Sequence, residues 1–214
     1  ATFTDTLASA LKTKLRRLLG SEPRLAERID VHSLSSLGTR LHKTLIGPVK
    51  IIPSEELTRR LLETAASFSS PFSPNFLRTE WEQVVDAWQV ETWEAYRDVA
   101  RLGRKTRLPE SRRAALWQIF SSLRDQLAAE NLATEAAVFT RLADHIAATK
   151  PPFEHAIIDE AQDLGVAQLR FFASLGGNRP DALFFAGDIG QRIFQQPFSW
   201  KSLGVDIRGR SREG

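Results

Sequence analysis

Ile157-Ile158-Asp159-Glu160-Ala161-Gln162-Asp163 is the run in this chain best suited to chemistry. Apolar residues that give way at once to acids read as a buried strand with its carboxylates just past the carboxyl end. That is where open parallel sheets bind ligands. Two adjacent carboxylates there can divide the work of nucleotide hydrolysis. Asp159 would hold Mg²⁺ through its water shell, and Glu160 would position or deprotonate the attacking water. The competing reading is a pair of acids capping the following helix, and an apolar-Asp-Glu run alone does not separate the two. A second run, Phe184-Phe185-Ala186-Gly187-Asp188, also ends in an acid, with Gln191 and Arg192 within a turn. Gln191 is spaced to reach a γ-phosphate or its attacking water, with Asp188 at the same nucleotide-binding end. Taken singly, a Gly-Asp pair closing a strand is turn chemistry.

These residues need a parallel sheet to hold them, and the texture of the chain supplies one. Residues 155–158 and 182–186 read as short buried strands, and residues 166–175 between them as a helix stopped by Gly176-Gly177. Strand, helix, strand is a βαβ unit, so the two strands are expected to be parallel. At the other end, residues 2–4 resemble the end of a strand, followed by a helix over 5–19 with Leu7, Leu11, Leu15 and Leu18 at helical spacing. Residues 28–31 read as a short strand, 33–41 as a helical turn, and 47–53 as extended chain. From Ser54 the texture is helical, with helices expected over 54–66, 75–89, 92–102, 109–130 and 133–148. Leu116, Ile119, Phe120, Leu123 and Leu127 form one apolar stripe. Trp81, Trp88, Trp93 and Trp117 in this block read as packing residues. The expected fold is therefore α/β: a partial parallel-sheet core from residues 1–53 and 151–214, interrupted by an all-helical insertion over 54–150.

Composition narrows the class. The chain has 214 residues, 42% of them apolar and 26% charged, with a net charge of +3. That suffices for one ample core or two modest domains. Cysteine is absent, which excludes disulfides and thiolate metal sites. No apolar run is long enough to span a bilayer, and nothing resembles a signal peptide. Basic stretches at residues 12–17, 101–107 and 208–212 suit a polyanionic partner, or form solvated faces. Methionine is also absent, so Ala1 reads as the cut end of a longer protein.

Together the motifs resemble the UvrD/Rep-type superfamily 1 DNA helicases. Asp159-Glu160-Ala161-Gln162-Asp163 resembles that family's motif II, its Walker B box, and the stretch from Gly187 to Phe194 resembles motif III. Phe198-Ser199-Trp200-Lys201 is similar to the aromatic segment that stacks on single-stranded bases. Thr2-Phe3-Thr4 resembles motif Ia, and Val31-His32-Ser33-Leu34 the neighbouring DNA-contacting motif. The resemblance implies a RecA-like motor core with an inserted 1B-like subdomain, ATP and Mg²⁺ as cofactors, and single-stranded DNA and duplex junctions as partners. It implies a cytoplasmic setting, work in DNA repair, no membrane association, and a fragment that is monomeric. On the nucleic-acid side it nominates Thr2, Phe3, His32, Ser33, Trp200 and Lys201.

The departures are also informative. No Gly-x-x-x-x-Gly-Lys-Thr/Ser phosphate loop occurs in these residues, although the family carries one upstream of motif Ia. The family's second RecA-like domain and arginine fingers are missing too, and Arg208, Arg210 and Arg212 do not stand in for them. The 214 residues alone are therefore not expected to hydrolyse ATP. Two other classes compete: a two-metal nuclease using Asp159, Glu160, Asp163 and Asp188, and a non-catalytic helical adaptor that works through its Trp-rich block. The nuclease reading leaves Gln191 and Trp200 without roles.

Overall fold

The structure is a computed structural model, and it describes residues 1–20, 22–99 and 108–187. Described residues fall into two compact units. One comprises Ala1–Pro48, Arg141–Leu164 and residues 171–187; the other comprises Val49–Thr140 and Gly165–Arg170.

In the first unit, α1 (Asp5–Leu18) opens on Thr4, whose Oγ1 accepts from the Leu7 amide and satisfies one of the helix's free N–H groups. A single turn, α2 (Pro23–Ala26), follows. Residues 28–31, expected as a strand, are turn and irregular chain. Ile29 there is exposed, and Arg28 pairs at 3.6 Å with the solvated carboxylate of Glu154. With Ile29 exposed and Val31 only half-buried, the segment has little apolar surface to favour a ladder. α3 (Leu34–Leu45) is capped by Ser33 and buries Leu34, Leu37 and Leu41.

The sheet of this unit is built on β3 (Ala156–Ile158) and β4 (Leu183–Phe185), which pair in parallel with Ile157 opposite Phe184. Its backbone bonding continues past β3. The Ala1 amine donates to the Ile157 carbonyl, and the Asp159 amide donates to Ala1 O at 2.9 Å. Thr2 in turn bridges Ser33 in parallel, through Thr2 N to His32 O and Leu34 N to Thr2 O. One face of the β3–β4 pair is covered: Ile158 is buried, and Phe185 meets Phe172 edge-on. The other face is open among the described residues, where Ile157 is 65% and Phe184 62% exposed. The expected strand at 182–186 is thus buried on one side only.

The second unit is mostly helical. α4 (Ser54–Ser67), α5 (Pro74–Glu80), α6 (Trp93–Asp98) and α7 (Glu110–Ala129) surround a single core. The α7 stripe is buried as its spacing predicts: Leu116, Ile119, Phe120, Leu123 and Leu127 are all inside. Tyr96 is fully buried, stacked on Trp117 at 5.4 Å and edge-on to Phe120, with its hydroxyl donating to Glu80 at 2.8 Å. Trp81 packs on Phe120 and Trp93 lies against the same core, whereas Trp88 is exposed. The helix expected over 75–89 instead widens into a π-helical turn, Trp81–Asp86, and ends at Gln89 with φ of 49°.

The block is not wholly helical. β1 (Lys50–Ile51) pairs in parallel with β2 (Leu132–Ala133), a strand that its two-residue length hides from any periodicity. Thr134 follows at once, accepting from the Ala137 amide and donating to Asp86 Oδ1 at 2.5 Å. α8 (Glu135–Ala147) and α9 (Val166–Gly176) complete the described elements. No described helix is long and apolar enough to cross a membrane.

Candidate functional site

Asp159 and Glu160 stand at the carboxyl end of β3, immediately beyond buried Ile158. The Asp159 backbone is fixed by its bond to Ala1 O, and its side chain is half-buried. Glu160 is exposed and adopts φ 54°, ψ 42°, the left-handed region that a side chain with a Cβ enters at a cost. That conformation turns the chain sharply into a 3₁₀ turn, Ala161–Asp163.

The turn is bonded to the end of the neighbouring strand. Ala186 N donates to Ile158 O at 2.8 Å, and Ala161 N donates to Ala186 O at 2.9 Å. Gly187 follows, with φ of 150°, lying so close that an added Cβ would sit 2.9 Å from Ala161 N and 2.2 Å from Gln162 Oε1. The two strand ends are therefore locked together, and glycine is required at 187 by both its dihedral and its clearance.

This geometry bears on the helix-capping alternative. Glu160 precedes the 3₁₀ turn but makes no side-chain cap bond to it. Its carboxylate instead accepts from Gln162 Nε2 at 2.5 Å. The Gly165 amide, just before α9, is satisfied by Gln168 Oε1 at 2.8 Å. No described cation lies within ion-pair distance of Asp159 or Glu160, and no described group of three or more His, Asp or Glu could hold a metal by itself. The donor set suits Mg²⁺, which is commonly held by one or two carboxylates together with substrate phosphates.

Thr2, Phe3, His32 and Ser33 gather where the Ala1–Thr2 stretch meets the start of α3. Thr2 is fully buried, and its Oγ1 has no hydrogen-bond partner among the described residues. Ser33 is buried as well: its hydroxyl donates to Asp5 Oδ1 while accepting from the Ser36 amide at 3.3 Å. Both hydroxyls thus face protein. Phe3 and His32 are half-buried. Arg40 donates to His32 Nε2 at 2.8 Å, which fixes the imidazole as the neutral Nδ1–H tautomer. Burial and then the Arg40 charge hold the His32 pKa below its usual value. Arg40 also reaches Asp30 at 3.5 Å. Asp188, Gln191, Trp200 and Lys201 lie outside the described residues.

Three residues in contact with these side chains or strand ends carry no role on sequence grounds alone. Gln162 was visible only as part of a motif, and Gly187 only as a strand stop. Arg40 could have been found, since it lies eight residues beyond His32, about two turns along the helix that follows.

A search of curated proteins finds none that matches this chain. A family model does match: that of the UvrD/REP helicase N-terminal domain, over residues 1–199. That match takes in both strand ends and the helical block that precedes them, and on it the chain belongs to the UvrD/Rep helicase family.

Proposed function

We propose that this chain is the part of an ATP-driven DNA helicase that contributes the water-activating and Mg²⁺-holding carboxylates, together with contacts to single-stranded DNA. The observation that supports this most is the pair of parallel strand ends, where Asp159 and Glu160 leave β3 beside the carboxyl end of β4 and neither is consumed by a helix cap or an ion pair with a described residue. Asp159 would hold Mg²⁺, which when bound neutralises charge on the nucleotide's terminal phosphates. Glu160 orients the attacking water and accepts its proton. Asp188 and Gln191 belong to the same nucleotide end, with Gln191 linking the γ-phosphate to the loop that carries Trp200.

In this reading residues 1–53 and 151–214 belong to a RecA-like motor core, and 54–150 to its 1B-like insertion. Phe3, His32 with its Arg40 partner, Trp200 and Lys201 meet the nucleic acid, with bases stacking on the aromatic rings. Thr2 and Ser33, whose hydroxyls face protein, support that surface from behind. Single-stranded DNA and duplex junctions are the substrates, and the cytoplasm is the setting.

The test is a pair of variants in the ATP-hydrolysing parent. Glu160→Gln keeps the shape and removes the base, so ATP binding should persist while hydrolysis slows by roughly 10²–10⁴-fold. Asp159→Asn should instead weaken Mg²⁺-dependent nucleotide binding. Parental hydrolysis rates in both variants would remove the assignment.

A further inference from the structure

Glu160 has a long side chain, exposed to solvent and carried on a left-handed backbone, yet its carboxylate is not free to wander. Gln162, two residues on in the 3₁₀ turn, donates from Nε2 to Glu160 Oε2 at 2.5 Å. An ionised carboxylate only accepts, so this bond sets which way the amide faces: its NH₂ toward Glu160, its oxygen away. The oxygen is buried and finds no donor among the described residues. It lies against Gly187, close enough that a Cβ there would sit 2.2 Å away. Gln162 is therefore wedged between the Glu160 carboxylate and the last described residue of the segment leaving β4. An amide with an orphaned oxygen is a poor choice for that volume on packing grounds, because an unbranched apolar side chain would fill it without leaving a polar atom unpaired. What the amide provides and an apolar chain cannot is the hydrogen bond to Glu160.

We infer that Gln162 is a positioning residue, which orients the Glu160 carboxylate toward the attacking water by bracing it against the backbone at Gly187. The inference rests on the reading of Glu160 as the residue that activates water. Loss of a side chain that orients a reacting group typically costs about 10–100-fold in activity, because small misplacements of such a group are amplified in rate.

Gln162→Met, of similar length and unbranched, removes the bond and the orphaned oxygen together. In the ATP-hydrolysing parent, with saturating single-stranded DNA, kcat should fall by about 10–100-fold, while KM for ATP stays within about twofold and the melting temperature does not drop. Added to Glu160→Gln, the same substitution should cause no further loss, since the carboxylate it orients is gone. A parental kcat in Gln162→Met beside a slow Glu160→Gln would overturn the positioning role and leave the Glu160 assignment standing. A lowered melting temperature, a loss shared between KM and kcat, or an undiminished further loss in the Glu160→Gln background would each make Gln162 a packing residue or place its action elsewhere. A parental rate in Glu160→Gln itself would remove the underlying reading, and the inference with it.

Discussion

The helical unit and the strand ends of the other unit treat their side chains in opposite ways. Around α7 the large residues interlock: Phe120 touches both Trp81 and Tyr96, Tyr96 stacks on Trp117, and the Tyr96 hydroxyl donates to Glu80. At the ends of β3 and β4 the chain accepts a left-handed glutamate, an amide oxygen without a partner among the described residues, a glycine admitted only for lack of a Cβ, and two apolar side chains, Ile157 and Phe184, that those residues leave exposed. The helical unit has departures of its own, among them Gln89 at φ 49°, Asn131 at φ 53° and a Trp81 Nε1 without a partner among the described residues, but they are spread through the unit. At the strand ends the departures fall within a few residues of Asp159 and Glu160, the kind of clustering that local strain shows at working sites.

Three perturbations sharpen that contrast. The largest effect should come from Phe120→Ala, which empties the centre of the aromatic cluster and is expected to destabilise the helical unit by about 3–5 kcal/mol, read by chemical denaturation. An intact denaturation midpoint would show that the cluster is not the unit's core.

A smaller effect is expected at Asp86. Burial pushes its carboxyl up to about 6, against the opposing bonds from Thr134 and Gln89; Glu82 raises it further and Arg124 lowers it. A carboxyl that binds its proton more tightly folded than unfolded favours the fold most at low pH. Its contribution is therefore lost as pH rises from about 4 through about 6, amounting to roughly 1–3 kcal/mol. Asp86→Asn retains an acceptor for Thr134 and Gln89, and should flatten this dependence and raise stability at pH 7. Denaturation followed across that range would show a slope unchanged by the substitution if Asp86 is not its source.

The effect expected at Trp200 is of similar size but falls on binding and leaves stability nearly untouched. In the parent, Trp200→Ala should weaken single-strand binding by about one stacked base, roughly 1–3 kcal/mol, with the melting temperature nearly unchanged. Titration with oligo-dT at several salt concentrations measures this through the indole quench and the salt slope. A large drop in melting temperature with unaltered affinity would make Trp200 a core residue.

What could be read from the sequence follows from how far each signal reaches along the chain. The α7 stripe repeats over about three turns, and β3 and β4 are apolar runs closed by turn residues, so their positions and parallel pairing were foreseeable. β2 is two residues long and exists because β1 lies beside it; no period fits in so short a stretch. The π-helical turn at Trp81–Asp86 likewise leaves the helical period nearly intact while changing the bonding. Residues 28–31 carried β-forming Ile and Val, but with charged residues on either side only Val31 is even half-buried. At the candidate site, the strand-end position of Asp159 and Glu160 was legible because acids closing an apolar run leave a pattern. The placement of Gln162 was not, because its contact with Gly187 arises only after two strands have paired.

The short β1–β2 ladder has a consequence for how this helical block can change. Lys50 faces Leu132 and Ile51 faces Ala133, so the chain enters and leaves the stretch that holds α4 to α7 through neighbouring strands, about 5 Å apart. Segments tied at a common doorway can lengthen, shorten or be exchanged without altering the distance their ends must span, and the entropy of closing such a loop grows only slowly with its length. The helices between those strands are thus free to diverge or be grafted as a cassette, provided the four residues of the doorway keep their pairing.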